Sequence, residues 1–347
     1  MYIKKILLAI AILGLIGLSV FSYYIYTSIF SGNTSFTGEK KIVYVPTGAD
    51  YQTVIDSLQP YVEDMESFDL VARKKGYASN IRAGRYAINP GMNNNELVNA
   101  LRSGNLPVKL TFNNQERLED LAGRVAQQIE ADSTALIKAF KDEEFLAENN
   151  FTEANGLAMY IPNQYEFYWN TSAEEFRERM KREYDRFWTD EKKQKAEEIG
   201  LNPKEVSTLA SIVHKETAKV DERPKVAGVY MNRYKNGWKL DADPTVIYAL
   251  KNKTQKWDTI IKRVLYKDLE LDSPYNTYIY KELPPGPIFM PDISAINAVL
   301  NYEDHDYFYF VADVKNFGYH KFAKNLAQHN RNKQEYVRWI NKQGVKR

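Results

Sequence analysis

From Ile6 to Phe30 the chain reads ILLAIAILGLIGLSVFSYYIYTSIF, without a single charge. An uncharged run of this length reads as a membrane-spanning helix: at about 1.5 Å per residue it reaches roughly 37 Å, enough for a hydrocarbon core of about 30 Å with some tilt. Lys4 and Lys5 precede it, and Tyr23, Tyr24 and Tyr26 lie near its far end like an interfacial aromatic belt. Positive-inside logic leaves residues 1–5 in the cytoplasm and places everything after about residue 31 outside, in a periplasmic or extracytoplasmic space. A cleaved signal peptide has a shorter apolar region, about 7–15 residues, ending in small residues. Bulky Tyr and Phe stand there instead, so residues 6–30 are expected to be an uncleaved single-pass anchor in the cytoplasmic membrane.

The remaining length suits two or three domains. The 47 basic and 45 acidic residues nearly cancel, at +2, and no basic block stands out, so nucleic acid is not an expected partner. The absence of cysteine excludes a thiol nucleophile, a cysteine zinc site and disulfides. The 25 tyrosines and 16 phenylalanines suit a sugar-binding groove, although ordinary core packing accounts for most of them.

Residues 31–40 (SGNTSFTGEK) read as a short flexible linker. Residues 41–106 then read as a small α/β subdomain. A strand is expected at Ile42–Val45, helices from Tyr51–Leu58 onward to about Lys75, and a return strand at Tyr86–Ile88. A further helix, capped by Asn93 or Asn94, closes at Gly104. The string Ala83-Gly-Arg-Tyr-Ala-Ile, Gly91-Met, Glu96-Leu-Val and Leu101-Arg-Ser-Gly resembles the LysM-like subdomain attached to some cell-wall enzymes.

Residues 107–347 read as a mixed α+β catalytic domain, so the fold class is α+β overall. A strand is expected at 107–113 and two or three helices between Arg117 and Glu148, with an aromatic, turn-like stretch over Asn155–Thr171. One charged, solvated helix is expected from Ala173 to Glu198, a hairpin around Lys315-Asn-Phe-Gly, and a last helix from about Asn325 to Asn341.

The chemistry concentrates downstream of Asn202-Pro203, a helix start with a capping acid at Glu205. Val206, Leu209, Ala210, Val213 and Val220 fall on one helical stripe, whose missing members are Glu216 and Thr217. The pattern thus puts an acid where a core residue is expected. Such a carboxyl is protonated, paired or facing a cleft. A desolvated one suits general acid work near neutral pH, and an ion pair with Arg223 or Arg233 is the structural alternative. A second helix carries Val226, Val229, Tyr230 and Arg233 on one side, and Leu240–Thr245 reads as an extended polar turn. The segments Ser273-Pro-Tyr-Asn276-Thr-Tyr278 and Leu283-Pro-Pro-Gly286-Pro287 read as rigid cleft-lining loops. No phosphate-cradling glycine loop or HExxH zinc helix occurs, and His214, His305, His320 and His329 show no metal spacing, so neither metal nor cofactor is expected.

The run ASIVHKETAKVDERPKVAGVYMNR, the DPTVIY, the SPYNTY…LPPG and the Phe310-Val-Ala-Asp313…His320-Lys-Phe…His329-Asn330 together resemble the YceG-like (MltG) family of endolytic murein transglycosylases, in order and over most of the region after the anchor. The resemblance implies a carbon–oxygen lyase that cuts between N-acetylmuramic acid and N-acetylglucosamine within peptidoglycan strands, leaving 1,6-anhydro ends. It trims or terminates nascent strands, with peptidoglycan synthases as family-level partners. It assigns Glu216 as acid and then base, the second acid of a Glu-Lys-Glu-Thr motif whose first acid is His214 here. Asn232, Asp241, Asp243, Thr245, Asn276 and Tyr278 are the candidates for binding or orienting the glycan. Asp241-Ala242 stands where the family commonly has Gln-Thr, and Asn163 where it has Asp. A two-carboxylate muramidase using Asp241 or Asp243, and a non-catalytic wall-binding scaffold, are the competing expectations.

Overall fold

A computed structural model describes residues 2–261 and 263–342. Its contacts divide the chain into two compact units. One holds the chain up to Leu110 with Gln128–Ala131 and Tyr165–Ser172; the other holds Thr111–Gln127, Asp132–Gln164 and the chain from Ala173 onward.

The first unit begins with helix α1 (Tyr2–Phe30), long and apolar enough to cross a membrane, with almost all of its side chains exposed. Strand β1 (Lys41–Val45), helices α2 (Tyr51–Leu58) and α3 (Met65–Lys74), strand β2 (Gly84–Ile88) and helix α4 (Asn94–Ser103) follow. β1 and β2 pair antiparallel with Val43 opposite Tyr86. Their period-two alternation turns Val43, Val45, Tyr86 and Ile88 inward, onto a core with Val54, Leu58, Phe68, Leu97 and Leu101. A capping box between Asn93 and Glu96 starts α4. The segment expected to be a flexible linker is instead bonded into this unit. Asn33 is 5% exposed; its amide nitrogen donates to the Asp64 carbonyl (2.8 Å) and its Oδ1 accepts from the Asp64 amide (2.7 Å). Gly32 and Thr34 bridge Asn93 and Val62, and Phe36 packs on the core. Polar composition alone cannot distinguish a solvated linker from a strap with buried hydrogen-bond partners.

Strand β3 (Pro107–Phe112) leads into helices α5 (Leu118–Ala126), α6 (Ser133–Phe140) and α7 (Glu143–Glu148), then a 3₁₀ turn at Gly156–Met159 and strand β4 (Asn163–Tyr168), which pairs with β3. β4 corrects the expected turn-like stretch: its partner lies some fifty residues earlier, where no local pattern reports it. The expected single helix over 173–198 is two, α8 (Ala173–Phe187) and α9 (Asp190–Glu198), with Thr189 capping the second. α8 is not simply solvated, because Phe176, Arg177, Met180 and Tyr184 are buried.

Helix α10 (Pro203–Glu216) is the centre of the second unit: every residue from Val206 to Val213 is buried, as befits a helix surrounded by others. Around it pack α11 (Arg223–Lys235), α12 (Asp243–Thr254) and α13 (Ile293–Leu300). The hairpin of β5 (Tyr309–Ala312) and β6 (His320–Ala323) pairs Phe310 with Phe322 and carries α14 (Leu326–Lys342). Gly228 lets α11 approach the following chain, since a Cβ there would stand 2.3 Å from the Glu303 carbonyl oxygen.

Candidate active site

Glu216 is the last residue of α10, not an interior one. Thr217 leaves the helix in an extended conformation, its amide still donating to Val213 (3.3 Å). The helical stripe therefore stops short of Val220, which is 56% exposed. A helix C-terminus presents carbonyl dipoles that disfavour negative charge. Glu216 is half-buried, yet its carboxyl is crowded by protein. Desolvation outweighs every other influence and pushes it up to about 7; Asp243 adds to the rise, while the Tyr230 hydrogen bond, His320 and Arg233 oppose it. The carboxyl thus combines some accessible surface with a charged form that is desolvated.

Among the described residues the carboxyl has one close partner: Tyr230 Oη on α11 donates to Glu216 Oε1 at 2.6 Å. Tyr230 is 1% exposed and its ring meets Phe310 edge-on at 6.0 Å, which in turn meets His320 edge-on at 5.0 Å. His320 donates its backbone amide to Glu222 Oε1 (2.6 Å), and its Nδ1 lies 2.9 Å from Oε2. Burial pushes the Glu222 carboxyl up, but the His320 bonds and one from Thr217 prevail and hold it below its usual value. The contacts thus form a ring that leaves Glu216 through Tyr230 and returns to its neighbour Thr217.

Neither arginine offered as an ion-pair partner pairs with Glu216. Arg223, 3% exposed, bonds both oxygens of Asp292 at 2.8 Å and reaches the Thr217 carbonyl at 3.4 Å. Arg233 donates to Phe308 O (2.8 Å) and Leu240 O and stands 4.0 Å from Asp241. His214 lies beside Asp292 and edge-on to Phe289, a packing position.

The remaining sequence candidates divide. Asp243, in the first turn of α12 rather than in an extended turn, accepts from Tyr278 Oη at 2.6 Å. Each of these groups is felt electrostatically by the Glu216–Tyr230 pair, so two carboxyl–tyrosine pairs lie together. Asp241 stands next to them at φ 48°, a left-handed conformation that costs about 1–2 kcal/mol outside glycine; burial raises its carboxyl against Arg233 and Lys239.

Three candidates bond the protein's own backbone and side chains. Thr245 is fully buried and bonds Ala242 O and Thr277 Oγ1. Asn276, also fully buried, donates to Leu269 O and Leu271 O and accepts from the Tyr278 amide. Asn232 donates to His305 O (2.6 Å) and Tyr307 O (3.0 Å). Thr245 and Asn276 hold the loops that carry Asp241, Asp243 and Tyr278, and Asn232 holds the segment that leads into β5. Tyr230, which the candidate set lacked, had a readable signal: a phenol on the apolar face of a helix needs a partner for its hydroxyl. Among the described residues no three His, Asp or Glu side chains gather as a metal site.

A desolvated carboxyl with a neutral hydrogen-bond donor is a group that can give and take a proton near neutral pH. The sequence model of the YceG-like family matches residues 43–335, and the chain belongs to that family. An endolytic murein transglycosylase of Bacillus subtilis (strain 168) is 30% identical over 315 residues, covering 85% of this chain and 84% of that protein. One from Streptococcus pneumoniae serotype 2 (strain D39) is 27% identical over 329 residues, and there the match spans 58% of the pneumococcal protein. The crystal structure of a YceG-like protein from Listeria monocytogenes superposes with a TM-score of 0.55 at 29% identity, over 85% of this chain and 99% of that one.

Proposed function

We propose that this protein is a membrane-anchored endolytic lytic transglycosylase of peptidoglycan, with Glu216 as its single acid–base residue. The observation that carries the assignment is the Glu216 carboxyl, raised to about 7 and bonded to a neutral phenol instead of a cation. Protonated, it donates to the glycosidic oxygen between N-acetylmuramic acid and N-acetylglucosamine as the oxocarbenium-like centre develops. The carboxylate left behind takes the proton of the muramoyl C6 hydroxyl while that oxygen bonds to C1. The products are a 1,6-anhydro end and a free 4-hydroxyl; no water is consumed and Glu216 recovers its proton. Asp243 and Tyr278 bind or orient the glycan beside it, with Asp241 at the rim. Asn232, Thr245 and Asn276 act through the loops they hold.

Helix α1 anchors the catalytic unit to the cytoplasmic membrane with the N-terminus inside. The segment 41–106 serves as a LysM-like subdomain, and trimming of nascent strands beside peptidoglycan synthases is the role that suits this placement. Full-length protein in detergent, incubated with purified sacculi, tests the chemistry by product mass. Anhydro ends are expected, and Glu216→Gln should lose about 10²–10⁴-fold in rate. The charges of Asp241 and Asp243 favour one competing reading, a muramidase; reducing ends one water heavier would establish it. Undiminished cleavage by Glu216→Gln removes the assignment of Glu216. A wild type that never cleaves leaves a wall-binding scaffold.

A further inference from the structure

We infer that the second unit carries a separate binding site for a neutral sugar segment, at the opposite end of α12 from Asp243. This rests on the reading of glycan as substrate and adds a second point of contact with it. A cavity of about 390 Å³ opens there, and its walls have two chemistries. One is aromatic: Tyr248 meets Tyr275 at 4.6 Å and Trp257 edge-on at 5.4 Å, and the Arg117 guanidinium lies 4.7 Å over Trp257. The other is charged, each acid with a basic partner. Lys141 bridges Glu119 (2.7 Å) and Glu153 (2.6 Å), Lys251 pairs with Glu116 at 2.8 Å, and Arg117 pairs with Asp120.

Every acid of the wall has a basic partner, Lys141 serving two of them, so the acids outnumber the bases by one and the cavity does not favour an anion. Its fixed donors and acceptors suit hydroxyl and acetamido groups, and its ring faces suit the apolar side of a pyranose. The exposed amide of Asn252 adds hydrogen-bonding capacity at its edge, while Gln255 donates to Asn252 O and accepts from Trp257 Nε1. Gly286 builds the wall opposite: a Cβ there would stand 1.8 Å from the Ala154 carbonyl oxygen, and Ala154 and Pro287 both line the cavity. Only glycine lets these two loops meet.

Asp243 and Asn252 are nine residues apart on α12, about 13 Å at the helical rise. Nearer Glu216, Lys215 packs over Phe289 at 3.7 Å and its charge is felt by Glu116 and Lys251 of the cavity region. Glu216 does not line the cavity, whose far edge lies a helix length from Asp243, a placement that suits a more distant part of the same linear polymer.

The test uses full-length protein in detergent and an N-acetylglucosamine hexamer as probe, with Glu216→Gln as the non-cleaving background for calorimetric titration. Trp257→Ala removes the exposed edge of the aromatic wall, and Asn252→Trp fills the cavity from an exposed helix position. Each should weaken hexamer binding by at least about fivefold, the loss typical of truncating or blocking an interface aromatic. With Glu216 restored, each should raise KM on long glycan strands while kcat stays within about twofold. Wild-type affinity and KM in both variants, or a fall in kcat at unchanged KM, overturns the site. Should Trp257→Ala melt early, Asn252→Trp decides alone. Failure of wild-type protein to cleave glycan would remove the transglycosylase reading yet leave a Trp257-dependent hexamer affinity standing, so the two can be told apart.

Discussion

The Tyr230 hydroxyl lies 2.6 Å from Glu216 Oε1 and donates to it from a side chain buried inside α11. An arginine in that place would hold the carboxyl ionised. A phenol stabilises the anion by one hydrogen bond and leaves desolvation and the helix terminus to favour the neutral acid. The group is thereby held near neutrality, where a residue that must give a proton and then take one works best.

Activity should fall as pH rises through about 7, because the Glu216 proton is needed for the first step. In Tyr230→Phe the anion loses its donor, so the carboxyl rises further and the alkaline limb moves to higher pH. A hydrogen bond to a charged group contributes about 1.5–3 kcal/mol, which converts to a shift of about one unit or more. A pH–rate profile of kcat for both proteins checks this, and an unmoved or lowered limb refutes it.

Stability should respond to the same group. The folded carboxyl titrates near 7 against an ordinary 4.5, so between these values the folded state holds a proton that the unfolded chain has released. Stability therefore declines as pH rises from about 4.5 to about 7 and stays low above. Glu216→Gln removes the penalty and should be more stable than wild type by about 1–3 kcal/mol at pH 8, with little difference at pH 4. Denaturant titrations at the two pH values measure the difference; equal gains at both would count against it.

Arg223 links the turn after Glu216 to the start of α13. It bonds Asp292, whose carboxylate also caps that helix through the Ala295 amide (2.8 Å). Burial raises the Asp292 carboxyl, but the Arg223 and Ser294 bonds prevail and hold it low. Arg223→Ala removes the cation beside that charge, which keeps its Ser294 and Ala295 bonds and some solvent access, and should cost about 1–3 kcal/mol. Chemical denaturation checks the magnitude, and kcat should fall with it because the Thr217 carbonyl loses its anchor.

In the first unit Asn94 is 1% exposed and donates to Ser28 O (2.8 Å) and Ser67 Oγ (2.9 Å), while its Oδ1 accepts from Asn33 (2.7 Å). This network ties the last turn of α1 to α3 and α4. Asn94→Ala strands several buried polar groups and should destabilise the unit by about 1–3 kcal/mol. Amide exchange of residues 84–101 reports it; wild-type protection would show that water replaces the lost bonds.

Much of the fold was legible because its signals are local. The capping boxes Asn93–Glu96 and Asn202–Glu205, the apolar run of α1 and the alternation in β1 and β2 each involve residues within one turn or one strand. The acid on the apolar face at position 216 was visible for the same reason.

What the sequence by itself determined was where most helices and the strands β1 and β2 begin, which segment can cross a bilayer, and that one carboxyl falls on an apolar helical stripe. Tertiary structure decided the rest. It ended α10 at Glu216, paired β4 with a distant strand, brought Tyr230 to the carboxyl, and turned Asn276 and Thr245 inward. Local propensities and caps act over a few residues at about 1 kcal/mol each. The state of a buried polar group depends instead on neighbours that only long-range packing brings within hydrogen-bonding distance.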